Sequence, residues 1–298
     1  MSEHQRDTSV PGSVDPGTVL EEWRALLATG EHLHAPDIAR RLGVSEAALL
    51  AARAGTGAVR LSVDPIRVLA PLADCGRVLC AFANECGVHM PLGDVSVTAG
   101  IDGVLRISGS HMSAEIDDGA VAEIFLFEDH DPNHGNTRSL QFFSSTGAPV
   151  FKTFVFHKSR FDALRRHCHE LANEDQSRVP RPLAATPGFD PLAVSLNNDA
   201  NAQHIPGSAY QETISSFLGD GGAFEIEAVC RHARVTWHGT ISGARFDRGM
   251  LHLHETDLRS HLRLAPLAIA HRTAKGGLSL GISASGSSER RLRIGVEN

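Results

Sequence analysis

Histidine dominates the chemistry-bearing residues of this chain, with 17 copies against a single tyrosine. An imidazole nitrogen is a common protein ligand to haem iron and to metals, while Arg and Lys pair with carboxylates through charge-assisted hydrogen bonds. A haem site would therefore need His with nearby cations in an apolar slot. His89 follows Cys86-Gly-Val, and His111 follows Ile107-Ser-Gly-Ser at the end of an expected strand. In the second half His252, His254, His261 and His271 accompany Arg259, Arg263 and Arg272. Taken one at a time, each is more often a strand or loop histidine than a ligand. His167-Cys168-His169 looks like a metal motif, but neighbours at i, i+1 and i+2 of a helix point in different directions and cannot converge on one ion. No G-x-G-x-x-G fingerprint, Walker A loop, H-E-x-x-H or nucleophile elbow is present, which removes the usual signatures of nucleotide and hydrolase chemistry.

These residues must be positioned by two kinds of element. Val19 to Leu27 carries apolar residues at helical spacing, and Asp37 to Leu42 and Ser45 to Ala54 continue as helices, with Gly43 as a C-cap and Ser45 as an N-cap. From Arg77 onward the pattern changes to strands. Val78 to Phe82, Val104 to Ile107 and Ala122 to Phe127 are short apolar runs between Gly, Asp and Asn turns, as expected of an antiparallel sheet. Leu140 to Phe143 and Val150 to Phe156 flank a Ser-Ser-Thr-Gly-Ala-Pro turn and predict a hairpin that feeds a helix starting near Ser159.

Between Asn173 and Gly207 lie five of the fourteen prolines and no sustained period, so this stretch reads as an inter-domain connection. Beyond it Phe224 to Val229, Val235 to Trp237, Leu251 to Leu253, Leu267 to Ala270, Leu278 to Ile282 and Leu292 to Ile294 read as further strands. Gly103-Val-Leu-Arg-Ile lines up with Gly249-Met-Leu-His-Leu. The expected fold class is α+β, in two similar halves, each an antiparallel sheet with flanking helices, the second half degenerate. The expected bounds are 18–172 for the first half, 173–207 for the linker and 208–298 for the shortened second half.

Composition sets outer limits. A chain of 298 residues with 42% hydrophobic content can bury a substantial core. Met1 to Val10 are polar and no apolar run nears the ~18 residues of a membrane span, so neither leader nor anchor is expected, and a cytoplasmic location is. Five cysteines, odd in number and without a C-x-x-C pair, are expected to be reduced thiols. A net charge of -7 offers no general footprint for nucleic acid or an anionic membrane. Ala35 to Leu50 does match a helix-turn-helix, which makes a DNA-binding regulator one alternative. Yet from Val19 to Ala54 four Arg face five Asp or Glu, where DNA contact demands a basic surface.

The stretch from Arg138 to Val155, RSLQFFSSTGAPVFKTFV, resembles the hairpin that closes each half of HemS/HmuS-type intracellular haem-binding proteins, with ChuX/HutX as shorter relatives. The Trp23 helix, Asp37-Ile-Ala-Arg-Arg-Leu-Gly-Val-Ser-Glu, the Phe82 to Gly93 region and the helix running to Leu164 carry the same resemblance. In such proteins the helix-turn-helix wording is structural. The resemblance implies two similar α+β halves and haem as cofactor. It also implies a role in haem trafficking or utilisation, with delivery to a haem oxygenase or reductant-dependent opening of the porphyrin ring in some members. A non-catalytic carrier that kept the fold and lost iron ligation is the second reading, and enzyme status stays open.

The family's usual ligands are replaced here. An Asp-Val-His-Gln-Phe-Phe helix is not found, the Arg of a Leu-Asp-Leu-Arg-like strand aligns with Glu115, and Ile294-Gly-Val-Glu stands where a Tyr-Gly-x-Arg-like ending is usual. Gly109-Ser-His-Met-Ser resembles a Gly-Gly-His-x-Ser segment whose His lines the haem site of the shorter relatives, so the resemblance makes His111 the first candidate for the iron. His204 is second by position. Arg263, Arg272 and Lys152 fall at or near basic positions of the family and are candidates for the propionates. Expected partners are haem and a haem oxygenase or importer component, with no membrane or nucleic acid; a homodimer is a further expectation, because the shorter relatives are dimeric.

Overall fold

The structure is a computed structural model and describes residues 15–31, 33–84, 87–100, 102–131, 135–178, 202–204, 210–219, 223–247, 249–263, 268–272, 278–283 and 291–296. Residues 1–10, Cys86 and most of the stretch 173–207 lie outside the described residues.

The helical start follows local rules. Helix α1 (Pro16–Ala28) is opened by Asp15, whose carboxylate accepts from the Thr18 amide at 3.0 Å, and it buries Val19, Leu20 and Trp23. Helix α2 (Ala35–Leu42) ends on Gly43 at φ 66°, a left-handed cap that a side chain would strain. Helix α3 (Glu46–Ala52) is opened by Ser45, whose hydroxyl accepts from the Ala48 amide at 3.2 Å. Every residue of α3 from Ala47 to Ala52 is buried. The helix that would have to enter a DNA groove is thus inside the protein, packed with Trp23, Phe125 and Phe143, so the helix-turn-helix is a structural layer. Arg53 fastens it: the guanidinium donates to Asp129 at 2.6 and 2.9 Å and lies 5.3 Å from Trp23 and 5.2 Å from Phe127.

The chain continues through β1 (Ala58–Leu61), α4 (Pro65–Leu69), a 3-10 turn, β2 (Val78–Asn84), β3 (Gly87–Gly93), β4 (Val95–Ala99), β5 (Val104–Gly109) and β6 (Met112–Asp117). Strands β7 (Glu123–Asp131), β8 (Gly135–Phe143) and β9 (Pro149–Val155) then lead into α5 (Lys158–Glu170). The second half comprises β10 (Ala202–His204), α6 (Tyr210–Gly219), β11 (Ala223–Cys230), β12 (Ala233–Thr240), β13 (Ala244–Asp247), β14 (Met250–His254), β15 (Leu258–Arg263), β16 (Ala268–Arg272), β17 (Leu278–Ser283) and β18 (Arg291–Val296). The hairpin read from Leu140 to Phe156 is β8 and β9, and β10 falls inside the stretch read as a connection.

Two nine-stranded sheets result, ordered β1-β7-β8-β9-β2-β3-β15-β14-β13 and β10-β16-β17-β18-β11-β12-β6-β5-β4. The orders match strand for strand, with β1 to β9 repeated as β10 to β18. Each sheet is completed by three strands of the other half. The exchange is joined by β3 against β15, with Val88 opposite His261, and by β12 against β6, with Arg234 opposite Glu115. Gly103 and Gly249, which lined up in sequence, sit at φ 77° and 76° before the matching strands β5 and β14. This exchange cannot be read from a sequence pattern, because either partner of an antiparallel edge satisfies the same backbone donors.

Alternation on the strands sends Val78, Cys80, Phe82, Phe142 and Phe151 into one core with Ile107, Ile226 and Trp237. Phe142 stacks on Phe151 at 4.2 Å between ring centroids, and Phe82 follows at 6.0 Å. Cys75, Cys80 and Cys168 are buried free thiols, and Cys230 is buried as well. Asn84 donates to the Val229 carbonyl at 2.9 Å, tying β2 to β11 of the other sheet. No helix among the described residues is long and apolar enough to cross a membrane.

Candidate functional site

A cavity of about 390 Å³ opens where the β5–β6 turn meets the β14–β15 turn, the two turns that correspond in the repeated halves. Arg77, Asp94, His111, Glu255 and Asp257 supply its polar lining. This volume falls in the range of about 300–1,000 Å³ usual for ligand clefts.

His111 is the histidine that the sequence put first, and it projects from the β5–β6 turn with 56% of its side chain exposed. Its Nδ1 lies 3.2 Å from the His238 carbonyl and 3.6 Å from the Asp257 carboxylate. A carbonyl only accepts, so Nδ1 is the donor of this bond, and in the neutral ring the lone pair lies on Nε2. Metal-binding histidines commonly have their other ring nitrogen held in this way.

The carboxylates around His111 are mostly engaged. Glu255 accepts from the Ser242 amide at 2.6 Å and from its hydroxyl at 2.9 and 3.1 Å, and Asp257 faces His111. Arg77 donates through Nη2 to the Thr256 carbonyl at 2.6 Å, and a guanidinium has further donors for an anionic group. The cavity thus offers one imidazole and one guanidinium to a ligand, beside the carboxylates of Asp94, Glu255 and Asp257.

The other sequence candidates are not brought to this cavity. Lys152, on β9, is ion-paired with Glu46 of α3, both largely buried, and so anchors the helical layer. Arg263 is exposed at the end of β15, opposite Met250. His204 and Arg272 belong to β10 and β16 at the far edge of the second sheet, and their side chains lie outside the described residues. Glu115 is partnered by Arg106 at 3.3 Å, and Arg106 in turn holds Asp102 at 3.0 Å. The Glu115 charge is thus paired on its own sheet.

His167 binds the Arg67 carbonyl at 2.8 Å while Cys168 is fully buried, so His167-Cys168-His169 gathers no metal. His89 is buried on β3, with Nδ1 2.6 Å from the Ser260 hydroxyl, and burial pushes its pKa down to about 3. Arg77 and Asp257 were not singled out in the sequence. Nothing local marks them, since 180 positions of chain separate residues that only the strand exchange brings together.

Comparison with known proteins agrees with this architecture. Residues 43–171 match the family model described as the haemin-degrading HemS.ChuX domain. No curated protein matches the chain. Among solved structures, holo-PhuS, a heme-binding protein from Pseudomonas aeruginosa, is similar with a TM-score of 0.79 at 19% identity, covering 96% of this chain and 94% of that one. The heme-degrading enzyme ChuS from Escherichia coli O157:H7 is similar with a TM-score of 0.78 at 19% identity, covering 95% and 94%. The likeness is therefore a family-model match over residues 43–171 and, for the chain as a whole, the two-halved fold of PhuS and ChuS.

Proposed function

We propose that this protein binds haem, with His111 Nε2 as the iron ligand and Arg77 as a propionate partner. The observation that carries the reading is the His111 ring itself. It stands in the cavity between the exchanged strands with Nδ1 committed to the His238 carbonyl, which leaves Nε2 aimed away from that bond. The family match over residues 43–171 and the resemblance to heme-binding PhuS support haem as the ligand.

In this reading the halves span 18–172 and 208–298 around a connection at 173–207, from which β10 is recruited to the second sheet, and the protein works in the cytoplasm in haem trafficking or utilisation. A haem oxygenase or an importer component would take or supply the haem. His204, Arg263, Arg272 and Lys152 remain candidates for contacts beyond the cavity. If the protein also degrades haem, iron, oxygen and an external reductant would supply that chemistry while the chain contributes ligand and pocket.

Titration of apo-protein with hemin, followed at the Soret band, tests this. The expected result is a saturable one-to-one shift that His111→Ala weakens and Arg77→Ala weakens less, with His204→Ala as the competing ligand variant. A spectrum of free hemin throughout would overturn haem binding, and an unchanged titration in His111→Ala would overturn the ligand assignment. Ascorbate added to the complex separates degradation from carriage: loss of the Soret band marks the first, persistence the second.

A further inference from the structure

Three histidines converge on the solvent-facing side of β14 and β15. Residues two apart on a strand share a face, so His252 and His254 both point outward from β14. The ladder register sets His261 of β15 directly opposite His252. The ring centroids of His252, His254 and His261 are 5.0, 5.2 and 6.3 Å apart in the three pairings, and the Nδ1 atoms of His252 and His261 are 2.7 Å apart. One ring nitrogen from each lies within 4.8 Å of the other two.

We propose that His252, His254 and His261 form a binding site for one divalent late first-row transition metal, of zinc class, on the outer face of the β14–β15 hairpin. Three neutral imidazoles with no carboxylate suit zinc, nickel or copper and not the oxygen-seeking magnesium or calcium. Around a tetrahedral zinc with bonds of about 2.0–2.1 Å, ligand nitrogens stand roughly 3.3–3.4 Å apart, a spacing these rings reach by small rotations. The fourth position is left for water or for His34, the N-cap of α2, which is near enough to influence His261.

The repeated architecture supplies an internal control. Pairing registers place Arg106, Ser108 and Glu115 of the other sheet where His252, His254 and His261 stand here. That equivalent position holds an Arg106–Glu115 ion pair and no donor set. The fold therefore does not require imidazoles at this place, and a hydrogen-bonded pair alone would not call for a third ring. His254 is exposed, which leaves the site open to a metal from solvent. Arg245 and Arg259 stand opposite His252 and His254 in the ladders; both are exposed, Arg245 is paired with Asp247 at 4.0 Å, and their charge tempers the affinity.

The site is independent of the haem reading and is tested without haem. Full-length, tag-free protein stripped with EDTA would be titrated with Co²⁺ at pH 7.5, and the visible d–d bands recorded. One equivalent should give a saturating band of the intensity of four- or five-coordinate cobalt, displaced by Zn²⁺. Loss of an outer-shell partner alone costs about 10–100-fold in metal affinity, so His254→Ala and His261→Ala should each weaken binding at least tenfold. His254 is exposed, so its variant should keep the wild-type circular dichroism and melting curve, and a His167→Ala, His169→Ala double variant should still bind. Absence of a saturating band in the wild type, or affinity unchanged in both His254→Ala and His261→Ala, would overturn the site.

Discussion

Glu115 and His261 hold the same place in the two halves of this molecule. Glu115 on β6 faces Arg106 on β5 and Arg234 on β12, while His261 on β15 faces His252 on β14 and Val88 on β3. One scaffold position has thus diverged into an ion pair on one sheet and an imidazole cluster on the other. The backbone ladders that define the position do not depend on which side chain fills it, so the sites could diverge while the sheets stayed alike.

The pair of Arg60 and Glu123 is sealed in the interior, with 1% and 2% side-chain exposure and an N–O distance of 3.6 Å. Arg60 also donates to the Ser177 carbonyl at 2.9 Å, which pins the segment after α5. Arg60 also lies 3.8 Å from the Asp175 carboxylate, so Glu123→Ala removes one of two anions from a buried cation and should cost about 1–3 kcal/mol in urea unfolding. A loss well below about 1 kcal/mol would mean that Asp175 and the backbone carbonyls suffice for Arg60.

Buried His89 should make stability depend on pH. Its folded pKa is about 3, against an ordinary value near 6.5, so the unfolded chain binds the proton more readily. The stabilisation is complete above about pH 6.5 and is lost as pH falls toward 3, by up to about 1.4 kcal/mol per unit. Urea melts between pH 7.5 and 4.5 should show a shallower decline for His89→Gln than for the wild type. Parallel curves would assign the acid sensitivity to other groups, His261 first among them.

Gly87 adopts φ 148° at the junction of β3 with β15, and a Cβ there would stand 2.1 Å from the His261 carbonyl and 2.9 Å from the Leu262 Cα. Both obstacles are backbone, so Gly87→Ala must move β15 or bear strain of about 1–3 kcal/mol or more. The expected outcome is a lowered melting temperature together with weakened Co²⁺ binding, since β15 carries His261. A variant unchanged in both would show that the strand exchange tolerates slack at this point.

The thiols should be silent in the native protein. Burial pushes Cys80 and Cys168 up to about 12 and Cys75 to about 11, which leaves almost no thiolate at neutral pH. Iodoacetamide at pH 7.5, followed by peptide mass spectrometry, should leave Cys75, Cys80, Cys168 and Cys230 unmodified until denaturant is added. Rapid labelling of Cys80 would indicate local opening of β2.

Local signals were legible in this chain. Ser45 and Gly43 announced the helix ends, because a hydroxyl oxygen and a missing Cβ answer needs set by the adjoining backbone. The β8–β9 hairpin was equally plain from two apolar runs around a Gly-containing turn, and the matched glycines Gly103 and Gly249 disclosed the repeat. His111 stood out through the resemblance of Gly109-Ser-His-Met-Ser, whereas His261 was visible only as one of several second-half histidines. Tertiary structure decided that β15 would pair with β3 and β6 with β12, which sets Asp257 beside His111 and closes a cavity between turns far apart in sequence. It also decided that Lys152 would face Glu46 and that His252, His254 and His261 would meet on one face. The reason is physical: caps and turns are satisfied within a few residues, whereas strand exchange is chosen by the burial of two whole sheets against each other, and no short window of sequence contains that energy.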